Sequence, residues 1–302
     1  MPSDHPLAFN ILDGQEIWSH IDTVLVIGTR FLAPSLAWGR GDEIDVLRID
    51  VDPTQISKPR RPSVGLVCDA GEAIDALLAE LGTGQESRDG FLADCARAKQ
   101  DMNSKLAALG NLPELANALR AAIPEDGILV TDVTQLGYYT RHCFPVSDPK
   151  LVLGPSYQAT LGYAMPAALG AKLANPDRAV VAIAGDGGFM FTMQELAVAA
   201  QQGIAVVTVV LDNSSYGNVK TIQDQNFGAR NIAVDLQNPD FVAMAKSFGL
   251  HSEQATNGAE LEAAVKRALA SKGPALIHVP MPEVPSIWDL VRRPPSQGSV
   301  DR

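Results

Sequence analysis

Three consecutive stretches decide how this chain folds: Ala179-Val-Val-Ala-Ile-Ala-Gly-Asp-Gly-Gly188, Ile204-Ala-Val-Val-Thr-Val-Val-Leu211 and Asp212-Asn-Ser-Ser-Tyr-Gly217. The apolar runs are short, β-branched and uninterrupted, the pattern of strands buried on both faces of a parallel sheet. Between them, Thr192-Met-Gln-Glu195 reads as a capping box, with Thr192 as N-cap and Glu195 reaching back to it. The helix it opens should stop at Gly203, which accepts a left-handed terminating conformation. Strand, glycine-rich turn, helix and strand make a right-handed crossover with parallel strands.

That unit gives the spacing of polar residues a meaning. Asp186 follows the first strand and Asn213 the second, so neighbouring strands would bring both side chains to one carboxyl edge, roughly 5 Å apart. Open α/β sheets bind ligands at that edge. A carboxylate, an amide oxygen and main-chain carbonyls form an all-oxygen set suited to magnesium. Gly187 and Gly188 leave main-chain N–H groups bare just ahead of a helix, where an anion binds readily. The residues alone point to magnesium and a phosphorylated cofactor; the plain alternative is a tight turn followed by a loop asparagine.

Gly185-Asp-Gly187, followed after a second strand by Asn213 and Tyr216-Gly217, resembles the signature of thiamine-diphosphate-dependent enzymes. The resemblance implies that the Asp186 and Asn213 side chains and the Ser215 carbonyl hold the metal against the diphosphate, with Gly187 and Gly188 donating N–H groups. Gly162-Tyr-Ala-Met-Pro-Ala-Ala-Leu-Gly-Ala171 resembles that family's G-x-x-x-P-A-A-x-G-A helix. On that alignment Leu161 takes the place of the bulky apolar residue on which the cofactor bends. Gln135 matches a position that contacts the cofactor, and Tyr216 would line the cleft. Read without the resemblance, Leu161 is an ordinary core leucine and Gln135 a polar residue at a strand end.

At 302 residues with 46% apolar composition, the chain has room for two domains with substantial cores. Its net charge of −11 argues against nucleic-acid or anionic-membrane partners, because no basic stripe replaces counterions. Cys68, Cys95 and Cys143 are scattered and outside metal spacing, as expected of buried thiols in a reducing compartment. The N-terminus carries no signal-peptide pattern and no apolar run reaches membrane length, so cytoplasm is the expected location.

In chain order, residues 1–85 read as a partial central α/β domain. Its strands are Thr23–Gly28, Val46–Val51 and Val64–Cys68, followed by a helix over Gly71–Leu81. Ser3–Leu7, Asp22–Arg30, Ile49–Pro53 and Val67–Ala70 resemble the central domain of acetolactate-synthase-like enzymes. Gly28 and Asp50 tempt a dinucleotide reading, but Gly28-Thr-Arg30 lacks the other glycines of that fingerprint, and a structural role is the better reading. Three strands leave unpaired edges that must be covered or will associate. A helical linker follows over 86–112, with Gly82–Arg88 polar and Phe91, Cys95, Ala98, Met102 and Leu106 on one face.

Residues 113–284 form the expected diphosphate-binding domain. Ile128–Thr131 ends at the edge that carries Asp186, and Asp224–Gln237 lacks a clear period, as a mobile flap would. Asn238-Pro239 reads as N-cap and first position of a helix, Asn257 caps another, and Pro274–Val279 is the last strand. His142 and His278 read as core or helix-end residues, and 285–302 as a tail.

The fold class is therefore α/β: a doubly wound parallel sheet of the thiamine-diphosphate-binding type, preceded by a partial Rossmann-like domain. The resemblance implies thiamine diphosphate and Mg2+ as cofactors and decarboxylation or carboligation of 2-oxo acids. The family's activating glutamate belongs to an N-terminal pyrimidine-binding domain absent from this sequence, and neither Glu16 nor Glu43 lies in a matching context. No catalytic residue is therefore assigned. A homo-oligomer, or pairing with a chain carrying the pyrimidine-binding domain, is expected. The alternative is a non-catalytic cofactor-binding or interaction module, or a truncated remnant. Asn218–Gln223 also lacks the tryptophan motif of acetolactate synthases, leaving that activity one option among several.

Overall fold

Three parallel strands, β1 (Thr23–Ile27), β2 (Asp45–Asp50) and β3 (Val64–Val67), lie in the order β1-β2-β3. They fall where alternating β-branched residues place them. A computed structural model describes residues 5–81, 89–156, 158–291 and 294. It contains two units, one built on Phe9–Lys105 with the helix Trp288–Val291, the other on Leu106–Ile287.

In the first unit, Asp69 Oδ1 accepts the Gly71 and Glu72 N–H groups and so starts the helix Ala70–Leu81. Trp18, Trp38 and Ile44 form a small core, with the two indoles edge-to-face at 5.2 Å. Cys95 and Ala98 bury the inner face of the long helix Asp89–Ala107 against Ile17. The stretch expected as a linker is thus part of this unit's core, and Trp288–Val291 from the expected tail packs on the helix Ile11–Ile17. Gly82–Arg88 and most of the remaining tail lie outside the described residues. Asp50, the residue that tempted a nucleotide reading, faces Arg48 at 3.8 Å and accepts the Asp52 N–H. Arg48 in turn donates to the Thr29 carbonyl, so this strand edge is occupied by the unit's own side chains.

The second unit carries six parallel strands: β4 (Ile128–Thr131), β5 (Val152–Leu153), β6 (Val180–Gly185), β7 (Val207–Asp212), β8 (His251–Gln254) and β9 (Ala275–Pro280). Their order is β5-β4-β6-β7-β9-β8. The inner strands β4, β6 and β7 are buried along almost their whole length, as their uninterrupted apolar runs require. Each fully buried Val, Ile or Leu there contributes about 1.5–3 kcal/mol. The peripheral strands β5 and β8 carry no comparable run, so sequence periodicity does not reveal them.

Helix Ala164–Ala174 lays Ala164, Ala168 and Ala171 on the sheet, small side chains that permit close approach. In the same core, Phe189 and Phe241 meet edge-to-face at 5.8 Å. From β4 the chain moves outward to β5, then returns past β4 to β6. That reversal opens a crevice at the carboxyl ends of β4 and β6.

Three local expectations fail. Gly185-Asp-Gly-Gly188 is not a turn before a distant helix: a short helix, Asp186–Met190, begins directly at the strand end. The next helix is Glu195–Gln202, and no side chain caps it. Instead of capping, the Thr192 hydroxyl donates to the Gly162 carbonyl at 3.2 Å, because the 162 turn packs onto residues 188–192 and offers a buried acceptor. Termination at Gly203 is as expected, with φ at +61°. Likewise Asn238 is not a cap. Asp240 caps the helix Phe241–Ser247 by accepting the Ala243 N–H.

Candidate functional site

β6 and β7 pair in parallel with Gly185 opposite Leu211. This register sets Asp186 across from Asp212 and puts Asn213 one residue further along the edge. A cleft of about 320 Å³ opens there, within the range of small-molecule sites. Chain segments following β4, β6, β7 and β9 all line it. Every residue singled out in the sequence reaches this cleft: Gln135, Leu161, Asp186, Gly187, Gly188, Asn213, Ser215 and Tyr216.

Their local settings follow from the backbone. Gln135 is the first residue of the helix Gln135–Cys143, just beyond β4. Leu161 is half-buried at the cleft wall, not enclosed in the core. Gly187 and Gly188 belong to the first turn of Asp186–Met190, where N–H groups have no main-chain partner within the helix, and the Asp186 carboxyl takes the Gly187 N–H. Gly187 must be glycine for a second reason: an added Cβ would come 2.5 Å from the Tyr216 ring. After β7, Ser214 adopts a left-handed conformation (φ +54°), stabilised by its N–H donating to Asp212 Oδ1 at 2.9 Å.

The stretch expected as a mobile flap is partly ordered by pairing. Helix Gly217–Asn226 is followed by a return in which Tyr216 N–H donates to the Val234 carbonyl and Leu236 N–H to the Ser214 carbonyl. Ser215 thus lies in an antiparallel bridge with Asp235.

Four members of this edge, Asn238, His278, Asp212 and Asp132, carry no site role in the sequence reading, although Asp132 and Asp212 fall at strand ends there. Asn238 Nδ2 donates to Asp186 Oδ2 and to Asp212 Oδ1, both at 2.7 Å. His278 Nε2 lies 2.9 Å from Asp212 Oδ2, which corrects its reading as a plain core histidine. Asp212 opens the stretch quoted above without a role of its own there, and its position opposite Asp186 follows once the register is known. Asp132 sits beneath Gly188 and accepts the Val133 and Ala164 N–H groups, tying β4 to the helix that follows Leu161.

Burial pushes the Asp132 carboxyl above its ordinary range, against N–H groups from Ala164, Val133, Gly162 and Tyr163. Burial also raises Asp186, opposed by Asn238 and the Gly187 N–H and reinforced by the charge of Asp212. At Asp212 burial acts upward, but bonds from His278, the Ser214 N–H and Asn238 outweigh it and hold the carboxyl low. The edge therefore concentrates negative charge that the chain only partly compensates, a setting that favours a bound cation.

Do these residues fit a metal-bound diphosphate cofactor? Gln135 Oε1 and Ser215 Oγ are buried without a hydrogen-bond partner, although buried polar atoms are nearly always paired. Both residues line the cleft. No group of three or more His, Cys, Asp or Glu side chains arranged around a metal occurs among the described residues. The available donor set is one carboxylate, one amide and a main-chain carbonyl, hard oxygens that suit Mg2+ with positions left for phosphate and water. The residues fit. Tyr138, Val219, Met281 and Val284 give the cleft an apolar region beyond this polar edge. No glutamate is among its lining residues.

A model described as "Thiamine pyrophosphate enzyme, central domain" matches residues 1–77, and one described as "Thiamine pyrophosphate enzyme, C-terminal TPP binding domain" matches 132–279. The large subunit of acetolactate synthase isozyme 2 from Escherichia coli (strain K12) is 30% identical over 288 residues, covering 93% of this chain and 51% of the relative. A probable 2-ketoarginine decarboxylase from Pseudomonas aeruginosa is 31% identical over 291 residues, covering 92% and 51%. A probable acetolactate synthase large subunit from Methanocaldococcus jannaschii is 30% identical over 298 residues, covering 92% and 50%. The chain spans about half the length of the curated relatives it matches. Among the described residues no helix is long and apolar enough to cross a membrane.

Proposed function

The chain belongs to the thiamine pyrophosphate enzyme family, and on that premise we propose that it binds thiamine diphosphate through Mg2+ and acts in decarboxylation or carboligation of a 2-oxo acid. The observation that carries the reading is the meeting of Asp186, Asn213 and Ser215 at one cleft, beside the partnerless Gln135 Oε1 and Ser215 Oγ.

In this reading Asp186, Asn213 and the Ser215 carbonyl hold the cation, and N–H groups of Gly187 and Gly188 meet the diphosphate. When bound, the cofactor supplies the carbon nucleophile for a 2-oxo acid carbonyl and accepts the electron pair released as carbon dioxide leaves. The chain's own share is binding and orientation. Leu161 shapes the cofactor's path along the cleft wall, Tyr216 rests on Gly187 and narrows the entrance, and Gln135 offers an acceptor oxygen. The apolar region at Tyr138, Val219, Met281 and Val284 limits water around the reacting carbon. No glutamate is among the cleft's lining residues, and in this reading the pyrimidine-activating group is supplied in a homo-oligomer or by pairing with a chain that carries the pyrimidine-binding domain. A cytoplasmic location is part of this proposal.

Two experiments test this. Asp186→Ala should abolish Mg2+-dependent cofactor binding in calorimetry while the sheet stays folded by circular dichroism; unchanged binding overturns the site assignment. Incubating the chain with cofactor, Mg2+ and pyruvate, with and without native lysate, and measuring carbon dioxide and acetolactate tests the chemistry. Cofactor binding without turnover in either condition would favour a non-catalytic module.

A further inference from the structure

Asn238 bridges two carboxyl groups, Asp186 and Asp212, that also meet each other directly. Its Nδ2 lies 2.7 Å from Asp186 Oδ2 and 2.7 Å from Asp212 Oδ1, so both amide protons are engaged. The amide cannot be turned the other way, because its oxygen would then face two carboxylates. Asp186 Oδ2 also accepts the Ser215 N–H at 3.3 Å, while Asp212 Oδ2 is held by His278. A row of four side chains, His278, Asp212, Asn238 and Asp186, therefore runs across β9, β7 and β6. Its only member outside the sheet edge is Asn238, delivered by the segment that pairs with Ser214–Tyr216.

We propose that Asn238 is a positioning residue that sets the cation preference of this site, by engaging Asp186 Oδ2 so that Asp186 meets the cation through its other oxygen alone. The inference rests on the cofactor reading above. Mg2+ is small and demands octahedral coordination by single oxygens; Ca2+ accepts two oxygens from one carboxylate and a higher coordination number. With Oδ2 tied by two donors, Asp186 is a one-oxygen ligand that favours Mg2+. Freed from Asn238, the carboxylate turns and offers both oxygens, which favours Ca2+.

The test is calorimetric titration of the full chain with thiamine diphosphate in Mg2+ or in Ca2+. Asn238→Ala should weaken Mg2+-supported binding by about tenfold or more, the scale for outer partners of metal ligands. Ca2+-supported binding should fall less, so the Mg2+-to-Ca2+ ratio moves towards Ca2+. Asn238→Leu, of similar volume without a donor, should move it the same way. Equal losses with both cations mean only a loosened loop and overturn the proposal. In the unsubstituted chain both Asn238 side-chain amide protons should exchange slowly by NMR; rapid exchange of either overturns it irrespective of how the variants fold. An unsubstituted chain that binds no cofactor with either cation removes the cofactor reading and this inference together. One that binds, with a ratio the variants leave unchanged, removes this inference alone.

Discussion

The aromatic ring of Tyr216 rests on the bare backbone of Gly187: a Cβ there would lie 2.5 Å from Cε1 and 2.8 Å from Cδ1, with Leu236 Cδ1 at 3.1 Å. Gly187→Ala must therefore displace the ring or the helix start at Asp186. Overpacking of this kind costs about 1–3 kcal/mol. The expected outcome is a chain that folds with a lowered melting temperature and loses cofactor affinity out of proportion to that drop. Retained affinity would mean that the Tyr216 ring takes no part in shaping the cleft.

Asp132 is buried under Gly188 and accepts N–H groups that include those of Val133 at 2.7 Å and Ala164 at 3.1 Å. Asp132→Ala leaves both without their acceptor, at about 1–3 kcal/mol for each buried group that stays unsatisfied. Chemical denaturation should show that loss, and cofactor binding should weaken as well, because the turn before Ala164 carries Leu161. Asp132→Asn keeps one acceptor oxygen and should fall between the parent and the alanine variant.

Leu161 lines the cleft while only half-buried, so its truncation creates little enclosed cavity. Leu161→Ala should cost about 1 kcal/mol and lower the melting temperature by no more than about 4 °C. Calorimetry should nonetheless show weaker cofactor binding, by roughly the tenfold that 1.4 kcal/mol represents. A large melting shift with intact binding would return Leu161 to the role of a core leucine.

His142 provides a pH signature away from the cleft. Burial, helped by Arg141, lowers its pKa from 6.5 to about 4, so the folded chain keeps the ring neutral where the unfolded chain takes up a proton. Stability from this group is complete above pH 6.5 and is lost as pH falls towards 4, by on the order of 3 kcal/mol. His142→Gln should flatten that part of the stability profile in urea titrations. An unchanged slope would assign the acid sensitivity to other groups.

The uninterrupted runs at Ala179–Ala184 and Ile204–Leu211 could only be inner parallel strands, and a strand–helix–strand crossover can return in only one hand. Asp186 and Asn213 were therefore legible as neighbours at one edge before any coordinates. So was the helix end at Gly203, because a left-handed residue there favours glycine, and so was the Asn257 cap, which does accept the Glu260 N–H. Strands β5 and β8 were not legible. Short and peripheral, they owe their pairing to the sheet beside them.

Capping motifs failed where a tertiary partner outbid the local one. Thr192 could have capped its own helix, yet the Gly162 carbonyl lies within reach only after the 162 turn packs on residues 188–192. Asn238 could have capped the helix that Asp240 caps, yet two carboxylates, one at the end of β7 and one just past β6, offer its amide stronger, charge-assisted bonds. The sequence by itself determined the buried inner strands, their direction and the edge where the chemistry gathers, because periodicity and glycine placement are local properties. Only the tertiary structure decided the register that sets Asp186 against Asp212 and the donors that hold them there. Those partners lie up to 66 residues apart along the chain, and no local pattern connects them.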